Sequence, residues 1–149
     1  MISRASPIRQ DMPETAARTI LAFDFGIRRI GVAVGEPETG TAHPLPGIAL
    51  SGDARFVAIG TLLAQWRPAR LVVGLPLAAN GELHEMTRRA ERFARQLRGR
   101  FHLPVELVDE RFTSLEAERR LRGRRAGRLA VDSVAAQLIL EQYFDERAA

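Results

Sequence analysis

Three carboxylates stand at positions where metal chemistry is possible. Asp24 interrupts the strand-like apolar run ILAFDF, Glu110 closes the run PVELVDE, and Asp132 directly precedes SVAAQLIL, which has the apolar spacing of a helix. An unpaired buried carboxylate is strongly disfavoured, so Asp24 has to meet an arginine, backbone N–H groups or a cation. The three acids are therefore candidates for one shared site.

Each acid also has an ordinary structural interpretation. Asp24 can form a turn with the backbone around Gly26, and Glu110 can be a solvated strand end paired with a neighbouring arginine. Asp132 is a suitable helix N-cap. Taken separately, these interpretations are at least as favoured as a catalytic one. Parallel strands, however, present their carboxyl ends at one edge of a sheet, where ligands commonly bind. We therefore predict that the three acids converge there.

Converging carboxylates repel one another unless cations neutralise them. All-oxygen donor sets suit Mg²⁺ or Mn²⁺, and two such ions about 3.5–4 Å apart can activate a water and stabilise the leaving oxygen in phosphodiester hydrolysis. The acids therefore predict a two-ion site in which Asp24, Glu110 and Asp132 are the metal ligands and catalytic residues. The chain has no cysteine, which excludes thiolate metal sites, disulfides and cysteine nucleophiles.

The basic residues favour phosphate binding. All 22 of them are arginine, and the formal net charge is +4. A guanidinium can grip two phosphate oxygens at once, although an arginine-rich composition explains the bias equally well. The densest run is RRLRGRRAGR, residues 119–128, where two glycines disfavour a helix interior. We expect a mobile basic loop there that neutralises nucleic-acid phosphates. Its candidate contacts are Arg122, Arg124, Arg125 and Arg128.

Other arginines are ambiguous. Arg111 either contacts the scissile phosphate or pairs with Asp109. The arginines of the long helical segment, Arg88, Arg92 and Arg95, share a face that fits ordinary solvation.

The elements that must position these residues follow the order of a mixed α/β sheet. RTILAFDF and RIGVAVG predict two strands joined by a short hairpin turn, and the prolines of TAHPLPGIAL restrict a third strand to an edge or to an irregular start. A helix from Asp53 to Pro68, the strand RLVVGLP, a long helix ending at Gly99 and the strand PVELVDE come next. A capping box at residues 113–116 predicts another helix, and the last helix is predicted near Asp132.

This order predicts an α/β fold with a mixed five-stranded sheet and helices on both faces. Four residues are predicted to shape loops beside the acids, namely Gly26, Gly74, Asn80 and Gly81. Gly26 would leave room for a phosphate or metal beside Asp24. We expect residues 1–17 to be a flexible tail and residues 18–149 to form a single domain. No apolar run approaches a membrane span or a signal peptide, so the expected location is cytoplasmic.

Four stretches carry a family resemblance. LAFDFGIRRIGVAVG, LVVGLPLAANGE, VELVDERFTS and VDSVAAQLIL resemble, in order and spacing, the motif blocks of the YqgF family of Holliday-junction-resolvase-like proteins, also described as pre-16S rRNA nucleases. The resemblance spans residues 19–145 and implies a compact ribonuclease H-like fold. It also implies a metal-dependent nuclease whose acidic triad falls on Asp24, Glu110 and Asp132. Val131 and Arg28 stand where family members often carry lysine.

The resemblance leaves the substrate and the assembly open. Processing of the 5′ end of pre-16S rRNA, a step of ribosome biogenesis, would not require two active sites, whereas resolution of branched DNA would require a homodimer; both a monomer and a homodimer are therefore possible. A non-catalytic nucleic-acid-binding or ribosome-associated factor of the same fold would use the arginines without the acids. Actin-like ATPases share the D-x-G turn, but they need two such domains, and this chain has room for one.

Overall fold

The computed structural model describes residues 18–76, 81–110, 117, 119–122 and 127–148. Its elements are β1 (Ile20–Phe25), β2 (Ile30–Glu36), β3 (Thr41–Ile48), α1 (Asp53–Trp66), β4 (Arg70–Pro76), α2 (Gly81–Phe101), β5 (Val105–Glu110) and α3 (Arg128–Ala148). The predicted tail and the capping box at residues 113–116 lie outside the described residues. No helix in the described part of the chain is both long and apolar enough to cross a membrane.

The five strands form one mixed sheet in the order β3-β2-β1-β4-β5. The hairpin-connected strands β1, β2 and β3 pair antiparallel, whereas β4 pairs parallel with β1 on one side and with β5 on the other. The prediction of a mixed five-stranded sheet is confirmed. Strand β3 lies at one edge of the sheet, which is one of the two possibilities that its prolines allowed. Proline has no N–H that could be donated to a second neighbouring strand.

Helices cover both faces of the sheet, as predicted. Residues of β1 alternate between the faces, so that Leu21 and Phe23 pack beneath α1 and α2, where Phe23 meets the edge of the Phe93 ring at 6.0 Å. Ala22 faces the other way, into a cluster that includes Ile139 of α3. Asp24 follows Ala22 on that same face. The strand alternation therefore directs the Asp24 carboxyl toward α3.

Helix α3 lies unusually close to β2. A Cβ on Gly31 would stand 1.9 Å from the backbone oxygen of Asp132, so any side chain at Gly31 would push the helix away. The helix is also anchored by the Ser133 hydroxyl, which accepts a hydrogen bond from the Val32 N–H at 3.1 Å. Because Gly31 is the partner of Asp24 in the β1–β2 ladder, this close packing brings the start of α3 beside the predicted acid.

Helix α3 begins four residues earlier than predicted. The Gly127 carbonyl accepts hydrogen bonds from the N–H groups of Ala130 and Val131, and the helix runs from Arg128. Asp132 is therefore its fifth residue, and the N-cap interpretation of Asp132 is wrong. The predicted basic loop does not extend over all of residues 119–128, because Arg119 and Arg120 are helical and Arg128 starts α3, whereas residues 123–126 lie outside the described residues.

The bounds of two other elements differ from the predictions. Helix α2 passes Gly99 and ends at Phe101, because His102 takes the left-handed conformation (φ 58°) that glycine was expected to supply. Gly81 is the first residue of that helix and not part of a loop. Gly74 lies inside β4, in register with Val108 of β5, so its predicted loop position is also wrong.

Candidate active site

Asp24 and Glu110 approach each other across an intervening strand. They lie near the carboxyl ends of β1 and β5, with β4 between them. The gap above β4 is open at Gly74, where a Cβ would stand 3.2 Å from Glu110 Oε2 and 2.4 Å from Ile139 Cδ1. The Glu110 carboxyl lies near enough to Asp24 to raise its pKa. Gly74 therefore contributes to the site by having no side chain that would separate the two acids.

We expect Gly74→Ala to destabilise the protein by about 1–3 kcal/mol, because the new methyl group overlaps Ile139 in a closely packed layer. The control is Gly99→Ala in α2, where a Cβ meets nothing within 4 Å. That substitution should stabilise the helix by about 0.5–1 kcal/mol. Urea unfolding of both variants measures the difference. Equal effects at the two positions would contradict the packing role of Gly74.

Asp132 completes the acidic group from the first turns of α3. Burial raises the pKa of Asp24 well above its ordinary value, and the nearby carboxyls of Glu110 and Asp132 raise it further. The structure thus brings the three predicted acids together at one edge of the sheet. Their roles as metal ligands and catalytic residues stay predictions.

One of the three acids, Asp132, already forms an ion pair with an arginine. Arg29, in the turn between β1 and β2, donates from Nε to Asp132 Oδ2 at 2.7 Å. Within the described residues, no three acidic or histidine side chains are arranged to hold a metal ion as they stand. In this arrangement Asp132 is turned toward Arg29.

The donor chemistry nevertheless fits a hard divalent cation. The three side chains offer only carboxylate oxygens, which suit Mg²⁺ and Mn²⁺. Three neighbouring carboxylates also carry mutual repulsion, which is visible in the raised pKa of Asp24 and which a cation would relieve. Arg29 is not among the predicted site residues, although the arginine pair directly after the D-x-G turn is a signal for it in the sequence.

A cleft of about 370 Å³ opens beside the acids. It is lined by Asp24, by the turn of residues 25–29 and by Asp132. Gly26 serves the turn itself, since a Cβ there would stand 2.5 Å from the Arg29 carbonyl oxygen. This steric need is a second reason for glycine besides the predicted room for a phosphate.

The predicted nucleic-acid contacts are only partly within the described residues. Arg122 and Arg128 are exposed, in a turn and at the start of α3. Arg120 pairs with Glu141 at 3.4 Å. The other predicted site residues lie outside the described residues, namely Asn80, Arg111, Arg124 and Arg125. Phosphate contact by the basic segment therefore stays a prediction.

Comparisons with known proteins agree with this architecture. The model of the family described as RuvX, Holliday junction resolvase, matches residues 18–146. A protein of Dechloromonas aromatica named "Putative pre-16S rRNA nuclease" is 55% identical over 132 residues, which cover 85% of this chain and 90% of that protein. A Methylobacillus flagellatus protein of the same name is 51% identical over 142 residues, covering 90% and 97% of the two chains.

Two solved structures share the fold at low sequence identity. Thermus thermophilus RuvC in complex with a Holliday junction substrate matches with a TM-score of 0.53 and 17% identity, covering 89% of this chain and 96% of that one. The fowlpox virus resolvase in complex with Holliday junction DNA matches with a TM-score of 0.54 and 11% identity, covering 88% and 99%. The sheet and its helices are therefore those of the ribonuclease H-like fold.

Proposed function

Because this chain belongs to the family described as RuvX, Holliday junction resolvase, we propose that it is a nuclease that hydrolyses phosphodiester bonds at the cluster of Asp24, Glu110 and Asp132. The observation that carries the proposal is the approach of these three carboxyls, from β1, β5 and α3, at the edge of one cleft. Its substrate is structured nucleic acid. The names of the relatives favour precursor 16S rRNA, and the description of the family favours branched DNA as the second candidate.

The acidic cluster holds Mg²⁺ or Mn²⁺ in this proposal, and two ions are expected. Divalent ions at such a site supply an activated water and charge neutralisation at the leaving oxygen. Asp24 and Glu110, on the rigid sheet, fix the position of the site. Asp132 approaches them from the separate layer of α3. This division places two of the ligands on a scaffold that cannot shift without breaking strand pairing.

The surroundings of Asp24 and Asp132 determine the charge of the cluster. Burial and the neighbouring carboxyls of Glu110 and Asp132 raise the pKa of Asp24, so ionisation of this group is disfavoured while the site holds no cation. The ion pair with Arg29 balances the charge of Asp132. Cation binding at Asp132 has to displace the guanidinium of Arg29. Once released, Arg29 lines the same cleft as Asp24 and can face a phosphate there.

We expect Arg29→Gln to bind Mn²⁺ roughly twofold to fivefold more tightly than the wild type, because the cation no longer competes with a half-exposed ion pair. Arg28→Gln removes the same charge from the same turn, at an exposed side chain, and serves as the control. Isothermal titration calorimetry measures both affinities. Weaker Mn²⁺ binding by Arg29→Gln than by Arg28→Gln would show that Arg29 supports the cation site and does not compete with it.

The substrate is tested by direct cleavage. The wild type is incubated with precursor 16S rRNA and with a four-way DNA junction, each with Mn²⁺, with Mg²⁺ or with chelator. We expect metal-dependent trimming near the 5′ end of the rRNA. Paired symmetrical cuts in the junction by a dimer would instead support resolution. Binding of both nucleic acids without cleavage in any metal would overturn the nuclease proposal and favour a non-catalytic factor.

A further inference from the structure

A second cleft lies on the other face of the sheet, between α1 and α2. Its volume is about 200 Å³, and its lining includes two phenylalanine rings and four side chains that can donate hydrogen bonds: Phe25, Phe56, Arg55, Arg89, Arg92 and Gln96. Phe25 also lines the cleft that contains Asp24. The two clefts therefore adjoin each other at the end of β1, one on each side of the sheet.

Arg55 is fixed at this junction. Its guanidinium lies over the Phe25 ring, 5.4 Å from the centroid, and donates from Nη2 to the Ile27 carbonyl at 2.7 Å. Its Nε is buried and has no hydrogen-bond partner among the described residues. Burial also lowers the pKa of Arg55. A cation that has lost solvent and lacks one hydrogen bond is stabilised by an anionic ligand nearby.

The α2 side of the cleft carries more positive charge than its neighbours balance. Arg89, Arg92 and Gln96 are spaced three and four residues apart, so they share one helix face. Glu85 accepts hydrogen bonds from both Arg88 and Arg89, so one carboxylate serves two guanidiniums. Arg92 is exposed and forms no ion pair with any residue that the structure describes. The charge of Arg92 is thus available to an anion, and Arg89 shares its one carboxylate with Arg88.

We propose that the α1–α2 cleft binds a single-stranded segment of the nucleic acid that is cleaved at the acidic cluster; the identity of this ligand rests on the proposed function. Arg55, Arg89 and Arg92 contact the phosphates. The guanidinium planes of the cleft offer stacking surfaces for a base, which is one way in which proteins hold unpaired nucleotides. The cleft is too small to admit a double helix, so it selects the unpaired part of a structured substrate.

The test uses the double variant Arg89→Gln, Arg92→Gln and the control Arg18→Gln. Arg18 precedes β1 at the opposite end of the sheet, where it pairs with Glu38. Fluorescence anisotropy in chelator measures binding of labelled single-stranded RNA, single-stranded DNA and a duplex over a range of salt concentrations. We expect the double variant to bind both single strands about tenfold more weakly, with a log–log salt slope shallower by about 1.4, since each lost phosphate contact removes about 0.7.

Several outcomes would overturn the assignment. The assignment is wrong if the double variant matches Arg18→Gln in affinity and salt slope on both single strands. It is also wrong if the double variant loses affinity for the duplex alone. A loss on RNA alone supports the cleft and adds recognition of the ribose 2′-hydroxyl. Circular dichroism of each variant checks that the fold is intact, and Arg55→Gln provides an independent second variant.

The same measurements separate this inference from the proposed function. If the wild type binds single strands but cleaves nothing, the nuclease proposal fails and the result for the cleft still stands. If the wild type cleaves and the double variant binds normally, the nuclease proposal stands and the cleft assignment fails.

Discussion

Asp24→Asn is expected to lower metal-dependent cleavage roughly a thousandfold, since losing a ligand from the cation site removes about 4 kcal/mol of transition-state stabilisation. Asparagine has nearly the same shape as aspartate, so the variant keeps its fold. It lacks one of the negative charges that hold a divalent cation in the proposed site. Single-turnover cleavage of the better of the two substrates, in saturating Mn²⁺, measures the effect.

Asp109→Asn is the matched control for this experiment. It removes the same charge one residue from Glu110, but Asp109 is exposed and alternates to the opposite face of β5. A surface substitution of this kind should change the rate by no more than about twofold. Equal losses at Asp24 and Asp109 would point to a general effect of charge on substrate binding. Full activity of Asp24→Asn would remove the acidic cluster from the mechanism.

The convergence of Asp24 and Glu110 could be predicted from the sequence because it depends on local rules. Period-two alternation fixes the face of each strand residue, and parallel strands share an edge for their carboxyl ends. Both rules need only the positions of the strands, which the apolar runs indicate directly. The edge position of β3 was one of the two possibilities that its prolines allowed.

The contacts that tune the site could not be predicted by those rules. Arg29 and Asp132 are 103 residues apart, and their pairing depends on how closely α3 packs against β2. The distance between α3 and β2 is short because Gly31 has no side chain. A glycine in a strand run indicates some close approach, but it does not identify the partner. The N-cap interpretation of Asp132 failed for a related reason, because Gly127 starts the helix earlier without a capping side chain.

The apolar contacts of the sheet and the charged contacts of the acidic cluster have different consequences for stability. Most of the sheet is stabilised by apolar burial, which does not depend on pH or on metal. The acidic cluster is the exception, since its charges repel in the folded state and separate in the unfolded one. The site therefore destabilises the fold when it is ionised and empty, and this cost should be measurable.

We expect the stability difference between Asp24→Asn and the wild type to widen as the pH rises from 5 to 8 in chelator. The pKa of Asp24 is raised in the folded state relative to its ordinary value of 3.8. Below pH 4 both states are protonated, and the residue costs nothing. Above pH 4 the unfolded state releases the proton while the folded state retains it. Wild-type stability then falls by up to about 1.4 kcal/mol per pH unit until the raised pKa is reached.

Divalent cations should reverse this loss in the wild type and not in Asp24→Asn. At a free Mn²⁺ concentration one hundred times the dissociation constant, binding to the folded state stabilises it by about 2.7 kcal/mol. Thermal and urea unfolding at pH 5 and pH 8, with Mn²⁺ or with chelator, measure both effects, and Asp109→Asn should follow the wild type throughout. A difference that does not change with pH would exclude Asp24 as the titrating group. If Mn²⁺ stabilised Asp24→Asn as much as it stabilises the wild type, the cation would bind elsewhere, because a site that uses the Asp24 carboxylate as a ligand cannot lose it and keep its affinity.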